Sequence, residues 1–271
     1  MSLALAAAAA AAVLSADWRT PRDEDLLIIE TTRGKIIVEL QPLLAPAAVD
    51  RIRFLARRGD YDGLLFHRVI DGFVDQTGNP NNRDGGGTEL ADLQPEFDAR
   101  APVDALTTAA ERSGEWLGYL GSLPVAGGAR IGADRRRRVW GLYCAGVMGM
   151  GRQAAPDSAN SEIFLMRGAA RRLDHEYTAV GRAILGQAVI QSLAVGVPPP
   201  RPDRMIHVRV ASDLPPSERP RIEILRETSA AFTSALQAAR SKWGADFSPC
   251  SVAPRVRRQG RTVQGQGRGW R

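Results

Sequence analysis

Tyr61-Asp62-Gly63-Leu64-Leu65-Phe66-His67-Arg68-Val69-Ile70-Asp71-Gly72-Phe73-Val74-Asp75-Gln76 is the most informative stretch of this chain. Residues 64–69 and 72–76 are rich in apolar side chains and are broken by the turn dipeptide Asp71-Gly72, so they read as two strand fragments. Upstream, residues 26–30 and 35–40 are short Ile/Val/Leu runs around Thr31-Thr32-Arg33-Gly34, a hairpin signature. Between hairpin and motif, Val49, Ile52 and Leu55 or Ala56 recur at helical spacing over residues 47–58. Pro46 suits the first turn of that helix and Gly59 its stop. Downstream, residues 78–88 form a glycine-rich loop containing Gly85-Gly86-Gly87. It opens no helix and lacks both a lysine and the GxGxxG spacing, which excludes a phosphate cradle.

Residues 99–139 are the least regular region and read as a long inserted loop with some helix or hairpin of its own. Trp116, Tyr119 and Trp140 beside Arg135–Arg138 offer a docking surface; a solvated lid with a few aromatics tucked onto the domain is the favoured reading. Residues 142–150, 162–166 and 206–210 are strand-like, and residues 185–195 carry a helical pattern ending at Gly196. Past Pro215 comes an ancillary segment, with a possible strand at 222–225 and an amphipathic helix at 229–243. Residues 244–271 are Gln/Gly/Arg-rich and are expected to be a disordered basic tail. The order of strands, helix, many strands and a late helix predicts a mainly β domain.

The 271 residues are 44% hydrophobic and 24% charged, ordinary for a chain with a core, which excludes fibrous and wholly disordered classes. Net charge is +6, but the six arginines of residues 255–271 account for all of it. The body is formally neutral, so no specific nucleic-acid partner is expected. Cys144 and Cys250 sit in no metal-ligand spacing and His67, His175 and His207 are scattered, so no metal or other cofactor is expected. A disulfide between the cysteines is the less favoured alternative, because it would join the domain to a loose tail. The apolar run at residues 3–14 is too short to span a bilayer but matches a signal-peptide h-region, although no basic residue precedes it. Residues 1–16 are therefore read as a signal peptide of an exported, periplasmic protein, with residues 17–25 a lead-in; cytoplasmic residence is the alternative.

The stretch from Tyr61 to Gln76 closely resembles the signature of cyclophilin-type peptidyl-prolyl isomerases, in which FHR-V-I is followed by GF and a glutamine. A second block is similar to that family's Asn-rich turn and following strands: Pro156-Asp157-Ser158-Ala159-Asn160-Ser161-Glu162-Ile163-Phe164, then Leu173-Asp174, Tyr177-Thr178 and Val180-Gly181-Arg182. Two separated motifs in the right order make a specific signal. The resemblance implies a closed antiparallel barrel of eight strands capped by two α-helices, over residues 26–214, with the insertion at about 99–139. It also implies a monomer that accepts proline-containing polypeptides and aids folding as an isomerase or chaperone.

By the same resemblance Arg68, Phe73 and Gln76 are catalytic, with Arg68 donating to the twisted amide and Gln76 either orienting Arg68 or binding the substrate carbonyl. Val74, Phe164 and Leu173 line a proline slot with Phe73, while Gly151, Arg152, Glu162 and Tyr177 bind the rest of the peptide. Taken singly, such apolar residues are ordinary core. His67 is read as structural, having no acidic partner in sequence, and Asp157, Asn160 and Ser161 as turn formers. Glu162 stands where the family has glutamine, loses the donor when ionised, and has the option of pairing with Arg68. Arg172 replaces an apolar neighbour of Leu173. These two departures motivate the alternative of a catalytically quiet peptide-binding module on the same scaffold.

Overall fold

The structure, a computed structural model, describes residues 16–112 and 114–259. The signal peptide read at residues 1–16 therefore lies outside the described residues except for its last position.

The described chain begins with β1 (Trp18–Arg19), then the hairpin β2 (Leu26–Thr31) and β3 (Gly34–Leu40), paired from Leu26↔Glu39 to Thr31↔Gly34. Gly34 takes φ +134°, a conformation open to glycine, and Thr31 Oγ1 closes the turn on the Gly34 carbonyl at 2.8 Å. Helix α1 (Pro46–Arg58) has proline in its first turn and ends at Gly59 with φ 78°. Its Ala48, Val49, Ile52, Leu55 and Ala56 are buried, the face that helical spacing predicts. The side chain of Glu96, 49 residues from Ala47, caps its open N-terminus by accepting from the Ala47 and Ala48 amides at 3.0 and 2.9 Å. Strands β4 (Arg68–Ile70) and β5 (Val74–Thr77) follow as an antiparallel pair.

The insertion is a sheet, not a loop: β6 (Ala99–Pro102), β7 (Leu106–Arg112), β8 (Glu115–Leu120), β9 (Leu123–Ile131) and β10 (Arg136–Gly141), in order β6-β10-β9-β8-β7. Trp116 and Tyr119 are buried in it, which removes the docking-surface alternative for these two rings and agrees with the favoured reading of aromatics tucked onto the domain. Arg137 stacks over the Trp116 ring at 4.9 Å and Arg138 pairs with Asp98 at 2.6 Å, so the arginine run is spent on local contacts.

After the insertion come β11 (Val147–Met150), β12 (Ile163–Met166), β13 (Ala179–Leu185), the short helix α2 (Gln187–Ser192) and β14 (Met205–Val210). The main sheet has the order β14-β2-β3-β13-β11-β12-β5-β4. It curls around α1, α2 and an inner core that includes Leu27, Ile36, Ile52, Phe66, Met148 and Leu165. The closed barrel expected from sequence is not confirmed: β4 and β14 share no ladder, although the segments leading into them are joined by the bridge Leu65↔Arg204 and by backbone hydrogen bonds from Gly63 to Met205, Met205 to Leu64 and Phe66 to Asp203. A mainly β half-barrel of eight strands is what the structure shows. On the outer face, Val74, Phe164 and Met166 form a second core with Trp116, Leu117 and Val139 of the insertion.

The C-terminal segment is ordered further than its composition suggests. Strand β15 (Ile222–Leu225) pairs with β1 and with β16 (Val256–Arg258), and α3 (Ala230–Trp243) starts at Ser229, whose Oγ accepts from the Phe232 amide at 3.1 Å. The disordered tail expected from residue 244 is thus corrected for residues 244–259; residues 260–271 lie outside the described residues. Composition hid a covalent tie, because Cys144 and Cys250 form a disulfide across 106 residues of sequence. A crosslink closing so long a loop removes much denatured-state entropy. Reduction, or Cys250→Ser, is expected to lower unfolding free energy by about 2–4 kcal/mol, checked by urea titration with and without a thiol reductant.

Candidate active site

The outer face of the half-barrel carries the site, and strand register explains why. Arg68 pairs with Gln76 across β4 and β5, Gln76 with Phe164 of β12, and Phe164 with Gly149 of β11. Side chains opposite one another in an antiparallel sheet point the same way, so Arg68, Gln76 and Phe164 share a face with Val74 and Met166. Gly149 is required in this row. A Cβ there would lie 2.6 Å from the Phe164 ring and 2.7 Å from the Tyr143 hydroxyl. Without it, Phe164 stacks on Tyr143 at 5.6 Å and meets Tyr177 edge-on at 5.7 Å.

Phe73, Leu173 and Tyr177 are half-buried and belong with Val74 and Phe164 to one apolar cluster, so the structure brings these residues to the same region. The exposed Arg172 lays its guanidinium 4.2 Å from the Phe73 ring centroid and covers one face of that wall. Arg152 is engaged by its own turn. It donates to the Glu176 and Gln153 carbonyls at 3.0 and 2.9 Å and stacks over Tyr177 at 4.6 Å. Gly151 packs directly against Glu162, and its amide donates to the Glu162 carbonyl at 2.8 Å.

The polar half of the site is a chain of donors and acceptors. Arg68 Nη1 donates to Gln76 Oε1 at 2.9 Å. The Gln76 amide nitrogen donates in turn to Asp84 Oδ1 at 3.0 Å and to Glu162 Oε1, while Asn79 Nδ2 donates to the other Glu162 oxygen. Gln76 therefore stands between Glu162 and Arg68, and the direct pairing weighed from sequence is not the arrangement found. Burial pushes the Glu162 carboxyl up to about 7; its hydrogen bond from Gln76 pulls the other way, and the charge of Asp84 adds to the rise. His67 is buried, with Nε2 at 3.2 Å from Asp84 and 3.8 Å from Glu162, so the sequence reading that it lacks an acidic partner is corrected. Burial lowers its pKa despite those neighbours. His67, Asp84 and Glu162 could in principle hold a cation, their ligand atoms lying within 4.8 Å of one another, but amide donors already engage both Glu162 oxygens.

Asp84, Asn79 and Tyr143 belong to this site and sequence reading did not name them. Asn160 was read as a turn former; its Oδ1 accepts from the Thr88 amide and hydroxyl, both at 2.8 Å, and so anchors the glycine-rich loop as well. Only the position of Asp84 in that loop, eight residues after Gln76, offered a signal.

A guanidinium held by a glutamine stands beside an apolar wall on the outer face of a mainly β half-barrel. The family model described as cyclophilin type peptidyl-prolyl cis-trans isomerase/CLD matches residues 26–212, and the chain belongs to that family. A probable peptidyl-prolyl cis-trans isomerase of Brucella suis is 29% identical over 195 residues, covering 70% of this chain and 84% of that one. The crystal structure of the cyclophilin AquaCyp293 from Hirschia baltica is 34% identical with a TM-score of 0.79, covering 89% of this chain and 93% of that one. A Cryptosporidium parvum cyclophilin-type isomerase shares the fold at 18% identity and a TM-score of 0.50, covering 69% of this chain and 96% of its own. The chain is thus a peptidyl-prolyl cis-trans isomerase by class.

Proposed function

We propose that the site accelerates X-Pro rotation by stabilising the twisted amide with Arg68, the proline ring lying against Phe73, Val74, Phe164 and Leu173. Amide resonance sets a barrier of roughly 18–20 kcal/mol, and no bond has to break to cross it. Twisting returns a lone pair to the proline nitrogen. A donor held in place for that lone pair binds the twisted state better than either planar isomer, which is what lowers a barrier. The observation that carries the reading is the 2.9 Å hydrogen bond by which Gln76 fixes Arg68 on the same sheet face as Phe164. Arginine stays charged throughout the working pH range. The test is the cis-to-trans relaxation of a short Ala-Pro peptide, where no acceleration over solvent at micromolar protein would favour the quiet peptide-binding module instead.

Glu162 tunes this site. Protonated, it offers a donor and an acceptor as glutamine does; ionised, it only accepts. The groups facing it are Gln76, Asn79, His67, Asp84 and Arg68. With its carboxyl at about 7, kcat/KM is expected to rise as pH falls through that value, by about three- to tenfold, the worth of one hydrogen bond. Glu162→Gln should be at least as active and flat over the same range. A wild-type rate profile without this inflection would remove Glu162 from the substrate wall.

Export to the periplasm and action as a monomer on unfolded proline-containing chains complete the reading. The disulfide supports it, since such bonds persist in oxidising compartments. No described helix is long and apolar enough to cross a membrane.

A further inference from the structure

We propose that Asp84 is a positioning residue for isomerisation: from the glycine-rich loop, its carboxylate sets the orientation of Gln76 and, through it, of Arg68. The inference rests on the reading of Arg68 as the donor to the twisted amide.

Three polar groups of the strand pair meet this one carboxylate. Oδ1 accepts from Gln76 Nε2 at 3.0 Å and lies 3.2 Å from His67 Nε2, and Oδ2 is 3.8 Å from Arg68 Nε. Gln76 has a carboxamide whose two ends differ, a donor and an acceptor. With its nitrogen drawn to Asp84 and Glu162, its oxygen is left facing Arg68, where it accepts at 2.9 Å. If the amide turned over, it would present N–H groups to a guanidinium and an oxygen to two carboxylates. Glu162 alone cannot hold this orientation at all pH values, because once protonated it can donate as well as accept. Asp84 holds the same amide nitrogen from a second side, accepting from it at 3.0 Å.

The loop is built to deliver that carboxylate. Asn79 Nδ2 donates to the Arg83 carbonyl at 2.8 Å and Asn81 Oδ1 accepts from the Arg83 amide at 3.2 Å, just before Asp84. Just after it, Gly85 has φ +76°, which favours glycine, and a Cβ on Gly87 would come within 2.8 Å of Asn160. Thr88 then closes the segment on Asn160. The Gly85-Gly86-Gly87 run thus places an acid beside Gln76 and Arg68.

The experiment compares wild type, Asp84→Ala, Asp84→Asn, Arg68→Ala and the double variant Asp84→Ala/Arg68→Ala by kcat/KM on an Ala-Pro peptide, with Tm for each. Asp84→Ala is expected to lose about five- to tenfold, mainly in kcat. Asp84→Asn should keep part of the rate through its remaining acceptor, and neither Tm should move, since the residue is exposed. Both substitutions should also shift the Glu162 inflection to lower pH, because a neighbouring negative charge has gone, which checks that the carboxylate sits beside Glu162; the readout that a merely structural residue would not move is the loss falling in kcat with Tm unchanged. In the Arg68→Ala background Asp84→Ala should cost nothing further, the signature of acting through Arg68. The proposal is overturned if Asp84→Ala keeps kcat/KM within twofold, or if its loss adds in full to that of Arg68→Ala. Should Arg68→Ala itself stay fully active, the underlying reading of Arg68 fails, and that result is distinct from either outcome.

Discussion

Arg68→Ala is expected to lower kcat/KM for an Ala-Pro peptide by about 100-fold or more, with Tm unchanged. Removing one preorganised donor from a site of this kind typically costs 10²–10³ in rate, about 2.7–4 kcal/mol. Stability should not follow. The side chain sits on the edge strand β4, half-buried, and its polar contacts are Gln76 at 2.9 Å and Asp84 at 3.8 Å, neither of which holds the core. Arg68→Lys should fall nearly as far, since an ammonium keeps the charge and loses the planar fork that lets one nitrogen be anchored while another donates. NMR exchange between cis and trans peptide reads the rate directly, and a variant within tenfold of wild type would contradict the proposed role.

The strand fragments around the Asp71-Gly72 turn were legible in the sequence, and the resemblance of the two motifs supplied Val74, Gln76 and Phe164, which the register of β5 and β12 puts on one face. What sequence could not show depends on meetings between distant segments. Asp84 lies in a loop with no regular period, so nothing local tells that its carboxylate reaches back to Gln76. Cys250 sits in a Gly/Arg/Pro-rich stretch whose order comes from the bond to Cys144 and from β16 pairing with β15. The insertion was obscured for a related reason. Strand β8 is covered on both faces, by the core shared with the main sheet and, at Tyr119, by Phe232, Leu236 and Phe247 of the C-terminal segment, so Glu115–Leu120 is nearly all buried and shows no alternation. Trp116 and Tyr119 are core of the inserted sheet, where the sequence reading has them tucked onto the domain from a lid. Closure of the barrel is not confirmed for want of a ladder: the contacts of residues 63–66 with residues 203–205 do not make β4 and β14 neighbours in the sheet.

Arg167→Met is expected to destabilise the fold by about 3–5 kcal/mol, the cost of breaking a buried ion pair by removing one partner. Asp75 lies between Val74 and Gln76 in β5 and points to the inner face, fully buried, where Arg167 Nη1 donates to it at 3.0 Å. The same guanidinium donates to the Ile190 and Gln191 carbonyls at 2.9 and 2.8 Å, so it ties the end of α2 to the strand that carries Gln76. Methionine fills the space and satisfies none of these acceptors. The pH dependence separates this pair from simple packing loss. Burial raises the Asp75 carboxyl to about 7, and Arg167 is what keeps it from going higher. A folded carboxyl raised above its unfolded value contributes stability that is full below the unfolded pKa and is lost as pH rises through the folded one. In wild type that loss ends near 7; without Arg167 the folded pKa is higher and the loss continues. The gap between wild type and Arg167→Met should therefore be constant below about 7 and widen above it. Urea titrations at about pH 6 and about pH 9 measure it. A pH-independent gap would mean that Asp75 is held by something other than Arg167, and a gap under about 1 kcal/mol would mean that the pair carries little of the fold.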